Sequence, residues 1–139
     1  MADPSERSHQ LGDLQHAIMR VLWDRGEATV SEVHQALQGD RQRALTTIAT
    51  MLTKLEKKGV VDHRSEGRQY VYRPTVSEED VTRTMVSDLV EKLFEGDATA
   101  LVGHLLEERD IEASELDKLQ QLVRDRRRAA DDAADRKRQ

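Results

Sequence analysis

Between residues 44 and 73 the apolar period of the sequence changes once, and that change fixes most of what the chain can fold into. Over residues 44–58, Leu45, Ile48, Ala49, Leu52 and Leu55 fall on one side of a helix, while Thr46, Thr47, Thr50, Thr53, Lys54 and Lys57 fall on the other. After Gly59 the pattern becomes β-rich, with runs at 60–64 and 69–73 separated by Ser65, Glu66, Gly67 and Arg68. This spacing predicts a β-hairpin in which Gly67 takes the unusual backbone angles of the turn. Pro74 closes the unit. A helix with an outer face of threonine and lysine therefore runs directly into a two-stranded hairpin.

Two further helices precede this pair. Leu11, Leu14, Ile18, Val21 and Leu22 recur at helical spacing until Gly26, with Ala17 and Trp23 beside the stripe. Thr29, Val30, Ser31 and Glu32 form a capping-box sequence, with Val33, Ala36 and Leu37 as the expected buried face behind it. Three helices and a hairpin over residues 11–74 predict a winged helix-turn-helix domain, its second and third helices forming the helix-turn-helix pair. The fold class expected for the whole chain is mainly α with a small β-hairpin wing.

Beyond Pro74 the sequence is helical throughout. Ser77, Glu78, Glu79 and Asp80 open a helix carrying Val81, Met85, Val86, Leu89, Val90 and Leu93. A shorter one carries Ala100, Leu101, Leu105 and Leu106, and the last has Leu116, Leu119, Leu122 and Val123 as its apolar seam. Three amphipathic helices in roughly 50 residues, with no sheet, bury little within one chain. Self-association is the simplest remedy, and packing back on the winged helix is the alternative. Residues 75–126 are accordingly expected to form a helical dimerisation region through Val81, Met85, Leu89, Leu93, Leu101, Leu105, Leu116, Leu119 and Leu122. Residues 1–10 are expected to be a flexible N-terminus, and 127–139 a charged tail without structure.

The formal net charge of −5 hides a division. Residues 41–73 hold Arg41, Arg43, Lys54, Lys57, Lys58, Arg64, Arg68 and Arg73 against only Glu56, Asp62 and Glu66, whereas residues 75–139 are net acidic. A basic segment that is also a helix-turn-helix and wing points to nucleic acid. Thr46, Thr47 and Thr50, short hydroxyl side chains near the helix start, are the candidates for base edges, with Arg43 beside them. Arg41, Lys54, Lys57, Arg64 and Arg68 are the candidates for backbone phosphates. Against this stands the reading of a solvated face whose threonine hydroxyls bond back to helix carbonyls. For Arg41 and Arg43, a solvated turn weighs as much as a phosphate contact. Tyr70, Tyr72 and Trp23 are expected to pack rather than to stack on bases.

Other chemistries find little support. There is no Cys, and His9, His16, His34, His63 and His104 lack any metal-ligand spacing, so no metal, cofactor or disulfide is expected. No phosphate loop or nucleophile motif is present, so no enzymatic activity is expected. No apolar run approaches the roughly 20 residues of a bilayer span, and the polar N-terminus has no signal-peptide core, so cytoplasmic residence without a membrane partner is expected.

The residues Ile18 to Trp23 (IMRVLW), Thr46-Thr47-Ile48, Leu55-Glu56-Lys57-Lys58-Gly59 and Gly67-Arg68-Gln69-Tyr70-Val71-Tyr72 make the chain resemble the penicillinase repressor family of BlaI/MecI type, from about Leu11 to Val123. The resemblance implies a homodimeric repressor that binds a dyad-symmetric, double-stranded DNA operator. In antibiotic-responsive members of that family a sensor-linked protease pathway ends repression by cleavage at an Asn-Phe bond. The matching position here is His104-Leu105, a different bond, and the absence of Cys removes the copper-responsive switch of other relatives. The implied targets are β-lactam-resistance or cell-envelope and stress genes. Two other classes fit the sequence: a small-molecule-responsive regulator of MarR type, and a winged-helix protein-interaction module that does not bind DNA.

Overall fold

The computed structural model describes residues 10–39 and 43–138. The expectations for residues 1–9 and for Arg41 lie outside these. Helix α1 (Asp13–Arg25) begins where the Gln15 side chain accepts from the Gly12 N–H at 3.3 Å. It stops at Gly26, whose φ of 85° is closed to most residues and whose N–H bonds the Leu22 carbonyl at 2.7 Å. Its Ile18, Met19 and Leu22 face is fully buried.

Strand β1 (Ala28–Thr29) leads into helix α2 (Val30–Ala36) through the expected capping box: the Glu32 N–H donates to Thr29 Oγ1 at 3.2 Å, and the Thr29 N–H to Glu32 Oε1 at 3.0 Å. Val33 is the buried residue of α2 and Leu37 packs at its edge, but Ala36 is exposed because seven residues make only two turns, too few to cover a second layer. Helix α3 (Leu45–Lys57) buries Ile48, Leu52 and Leu55. Leu45 belongs to the same stripe by angle but is 46% exposed, a correction to its expected place in the core. As the first residue of α3 it stands a full turn ahead of the buried cluster.

Strands β2 (Val61–Glu66) and β3 (Gln69–Pro74) form the hairpin, with Glu66 opposite Gln69 so that Gly67 and Arg68 alone make the turn; Gly67 has φ 63°. The sheet has three strands, ordered β1-β3-β2 and antiparallel throughout, because Ala28 and Thr29 pair with Tyr72 and Val71. A two-residue strand has no period to detect, so the sequence pointed only to the hairpin. The fold class is as expected: a mainly α chain with a winged helix and a small antiparallel sheet.

The structure divides after Leu93, not after Pro74. Helix α4 (Glu78–Phe94) is responsible. Val81, expected on a dimer surface, is fully buried in the winged-helix core of its own chain, and Met85 packs against that core. Just ahead of the helix, the Trp23 Nε1–H donates to the Val76 carbonyl at 2.9 Å, and the Thr75 hydroxyl to the Gly59 carbonyl at 2.6 Å. The chain after the wing is thus stitched to α1 and to the end of α3 before α4 starts. Further along α4, Val86, Leu89 and Leu93 are exposed.

The second unit, from Phe94, contains helix α5 (Ala98–Glu108), capped by Asp97 accepting from the Ala100 N–H at 3.1 Å, and helix α6 (Ala113–Arg138). Neither helix has a buried residue. Residues 127–138, expected to lack structure, continue α6 without a break. Ala129, Ala130, Ala133 and Ala134 favour helix by intrinsic propensity, and Asp132 stands four residues before Arg136, a supportive spacing. Among the described residues no helix is long and apolar enough to cross a membrane.

Candidate nucleic-acid interface

Helix α3 separates its two faces as the period requires. Thr46, Thr50, Thr53, Lys54 and Lys57 are exposed and Thr47 is half-buried, opposite the buried Ile48, Leu52 and Leu55. The threonines differ in what their hydroxyls already do. Thr50 Oγ1 donates to the Thr46 carbonyl at 2.9 Å, and Thr53 Oγ1 to the Ala49 carbonyl at 3.0 Å. For these two the back-bonding expected of a solvated face is present, though each oxygen keeps its accepting lone pairs and each side chain its methyl group. Among the described residues, the hydroxyls of Thr46 and Thr47 make no such bond.

The entry to α3 is fixed by a contact that the sequence did not announce. His34 Nε2, from α2, lies 2.7 Å from the carbonyl oxygen of Arg43, and the Gln38 side chain lies beside both. A proton on Nε2 donates to that carbonyl and anchors Arg43, two residues ahead of the helix. Arg43 itself is half-buried.

The basic residues fall into two groups. Among the described residues, Arg43, Lys54, Lys57 and Arg68 have no carboxylate within ion-pair distance. Lys54 and Lys57 lie on the exposed face of α3, and Arg68 is the second residue of the hairpin turn. The others are engaged. Lys58 Nζ donates to the Gln10 carbonyl at 2.8 Å and to Gln15 Oε1 at 2.9 Å, joining the end of α3 to the start of α1. Arg73 pairs with Asp62 across the hairpin at 2.7 Å, and its guanidinium holds that carboxyl below its ordinary value.

Arg64 is engaged most fully. It donates twice to Glu27 and once, at 3.0 Å, to Glu66. The hydrogen bond from Arg64 is the main cause that lowers the Glu27 carboxyl from its ordinary value. The Arg64 guanidinium, expected to face phosphate, is therefore bound to two carboxylates and fastens the wing to the residue before β1. Glu27, Thr29, Glu32, Arg64, Glu66 and Gln69 rim an open depression of about 360 Å³, in which Arg64 is held by Glu27 and Glu66 while Glu32 pairs with Arg25 at 3.9 Å. Within the hairpin, His63 stacks on Tyr70 at 4.3 Å between ring centres and bonds Glu56 of α3, while Tyr72 is buried. His63 and the buried Tyr72 pack the wing against α3, as expected of Tyr72, whereas Tyr70 lies over the His63 ring and stays 51% exposed.

His104 and Leu105, the position matching the family's cleavage site, lie inside α5 with both side chains exposed; the His104 ring meets Phe94 edge-on at 6.0 Å. Among the described residues no three side chains come together in a way that would hold a metal ion.

Comparison with known proteins agrees with this geometry. The family model described as penicillinase repressor matches residues 11–125. The transcriptional regulator BlaI of Mycobacterium tuberculosis is 35% identical over 116 residues, covering 82% of this chain and 83% of that protein. The penicillinase repressor of Bacillus licheniformis is 29% identical over 114 residues, covering 82% of this chain and 89% of its own length. Among solved structures, the complex structure of hsRosR-S4 superposes with a TM-score of 0.50 over 92% of this chain and 99% of that one, at 18% identity, a likeness of fold. The chain belongs to the penicillinase repressor family, a family of DNA-binding transcriptional repressors.

Proposed function

We propose that this chain represses transcription in the cytoplasm as a homodimer on a dyad-symmetric operator, each α3 lying in a major groove with its first turns at the base edges. The observation that carries the reading is the outer face of α3: among the described residues, Thr46 and Thr47 have hydroxyls not bonded back to the helix, and Lys54 and Lys57 are exposed with no carboxylate within ion-pair distance. In this arrangement Thr46, Thr47, Thr50 and Arg43 read bases. Lys54, Lys57 and Arg68 take phosphates, together with Arg41. Arg64 joins them only by releasing Glu27. Dimerisation falls to the exposed Leu89 and Leu93 of α4 and to Leu101, Leu105, Leu116, Leu119 and Leu122, on helices that bury no residue in the single chain.

The names of relatives, a penicillinase repressor and a methicillin resistance regulatory protein, support β-lactam-resistance or cell-envelope genes as targets. Release by a sensor-linked protease at His104-Leu105 would need α5 to open locally, since a helical bond is not presented in extended form.

Footprinting on the promoter of its own gene and those of neighbouring genes, with sedimentation of the same sample, tests the reading. Protection of two half-sites related by a dyad, together with a dimer mass, is the expected result. A monomer, or DNA binding without a protected dyad, overturns it.

A further inference from the structure

We propose that Leu45 is a base-reading residue that takes the 5-methyl group of a thymine in each half-site. The inference rests on the reading that α3 enters the major groove. A single exposed leucine is ordinary on a protein surface, so exposure alone decides nothing. Position does. By angle Leu45 lies on the core side of α3, but as its first residue, next to Thr46, it sits on a turn that extends past the buried Ile48, Leu52 and Leu55. Helical Cα–Cβ bonds tilt toward the N-terminus, so a long side chain in the first turn projects beyond the helix end, the end a recognition helix presents to base edges. Its neighbours there are the exposed N-cap residue Ala44, the hydroxyls of Thr46 and Thr47, and Arg43.

The floor of the major groove offers one apolar group, the thymine methyl. A leucine left out of its own core and placed at that floor matches it chemically. The methyl groups of Thr46 and Thr47 can meet it too, but Leu45 offers the largest apolar surface at that end of the helix. Leu45 would thus distinguish thymine from cytosine at a position where Thr46 and Thr47 read by hydrogen bond.

The test uses the full chain and an operator half-site obtained by selection from random DNA, duplicated as a dyad. Each thymine is replaced in turn by deoxyuridine, which removes the methyl group and keeps every hydrogen-bonding edge. For the unaltered protein, affinity should fall about fourfold at one thymine of each half-site, the loss of one methyl burial. In Leu45→Ala that thymine-to-uracil difference should vanish, while Leu45→Met, which keeps an apolar side chain of similar size, should restore it. Leu45 is outside the core, so both variants should melt with the parent protein. Equal uracil sensitivity in the parent and Leu45→Ala overturns the proposal, as does a parent insensitive at every thymine. Failure of the parent to select any sequence overturns the α3 reading itself and takes this proposal with it.

Discussion

Arg64 and Glu27 stand 37 residues apart in the chain and are joined by two parallel hydrogen bonds, Nη1 to Oε2 at 2.5 Å and Nη2 to Oε1 at 3.0 Å. The pair ties β2 to the entry of β1 and so fixes where the wing sits relative to α2. Because the bonded carboxyl titrates below its ordinary value in the folded state, its contribution to stability is present above the ordinary carboxylate range and is lost as pH falls through the lowered value. The melting difference between the parent protein and Glu27→Gln should therefore be greatest near neutrality and shrink in acid. In Arg64→Ala the Glu27 carboxyl should move back up toward its ordinary value, read by NMR of the side-chain carboxyl carbon. An unmoved Glu27 titration would show that the pair does not persist in solution.

The two groups of basic residues predict two salt dependences. Lys54 and Lys57 have no carboxylate to neutralise them, so each that meets a phosphate releases a counterion, and Lys54→Ala or Lys57→Ala should flatten the slope of log affinity against log salt by about 0.9. Arg64→Ala should flatten it less, since Glu27 and Glu66 already hold the charge that phosphate would take. Fluorescence anisotropy with labelled operator, over a salt series, measures all three. A loss for Arg64→Ala as large as that for Lys57→Ala would mean that the wing pair opens on DNA.

The sequence made the winged helix legible wherever a period or a turn was long enough to count: the stripe of α3, the capping box at Thr29 and Glu32, and the hairpin turning on Gly67. It missed what depends on distance. Glu27 carries no local mark of its partner 37 residues on, and His34 none of its contact with Arg43. Leu45 and Val81 depart from their expected places for a related reason. Helical angle tells which side a residue is on but not where along the axis the neighbouring helices stop. Leu45 falls just outside that limit, and Val81, at the near end of a helix assigned wholly to another surface, falls inside it.

That last difference separates two kinds of leucine and valine on α4. Val81 is fully buried in its own chain, so Val81→Ala removes two packed methyl groups and should cost about 1.6 kcal/mol of stability before any cavity is counted. It should lower the melting temperature and leave self-association at a given concentration of folded protein unchanged. Leu89→Ala and Leu93→Ala should do the reverse, because Leu93 is 70% exposed and Leu89 41% exposed in the single chain. Calorimetry and sedimentation on the same three variants check this. A weakened dimer in folded Val81→Ala would return Val81 to the interface.

The threonines of α3 give the sharpest test of how bases are read. Thr50 spends its hydroxyl proton on the Thr46 carbonyl, so toward DNA that oxygen only accepts. In the major groove the donors it can meet are the exocyclic amines of adenine and cytosine. Among the described residues Thr46 has no such acceptor, and its hydroxyl can donate to guanine or to thymine O4 as readily as it accepts. Thr50→Val keeps the branched shape and deletes the oxygen, and one neutral hydrogen bond contributes about 0.5–1.5 kcal/mol, roughly a two- to tenfold change in affinity. Selection from randomised half-sites should then show Thr50→Val losing a preference for adenine or cytosine at one position, with Thr46→Val relaxing discrimination at another. If Thr50→Val instead relaxes a preference for guanine or thymine, the bond to the Thr46 carbonyl must break on binding, and the hydroxyl proton faces the groove.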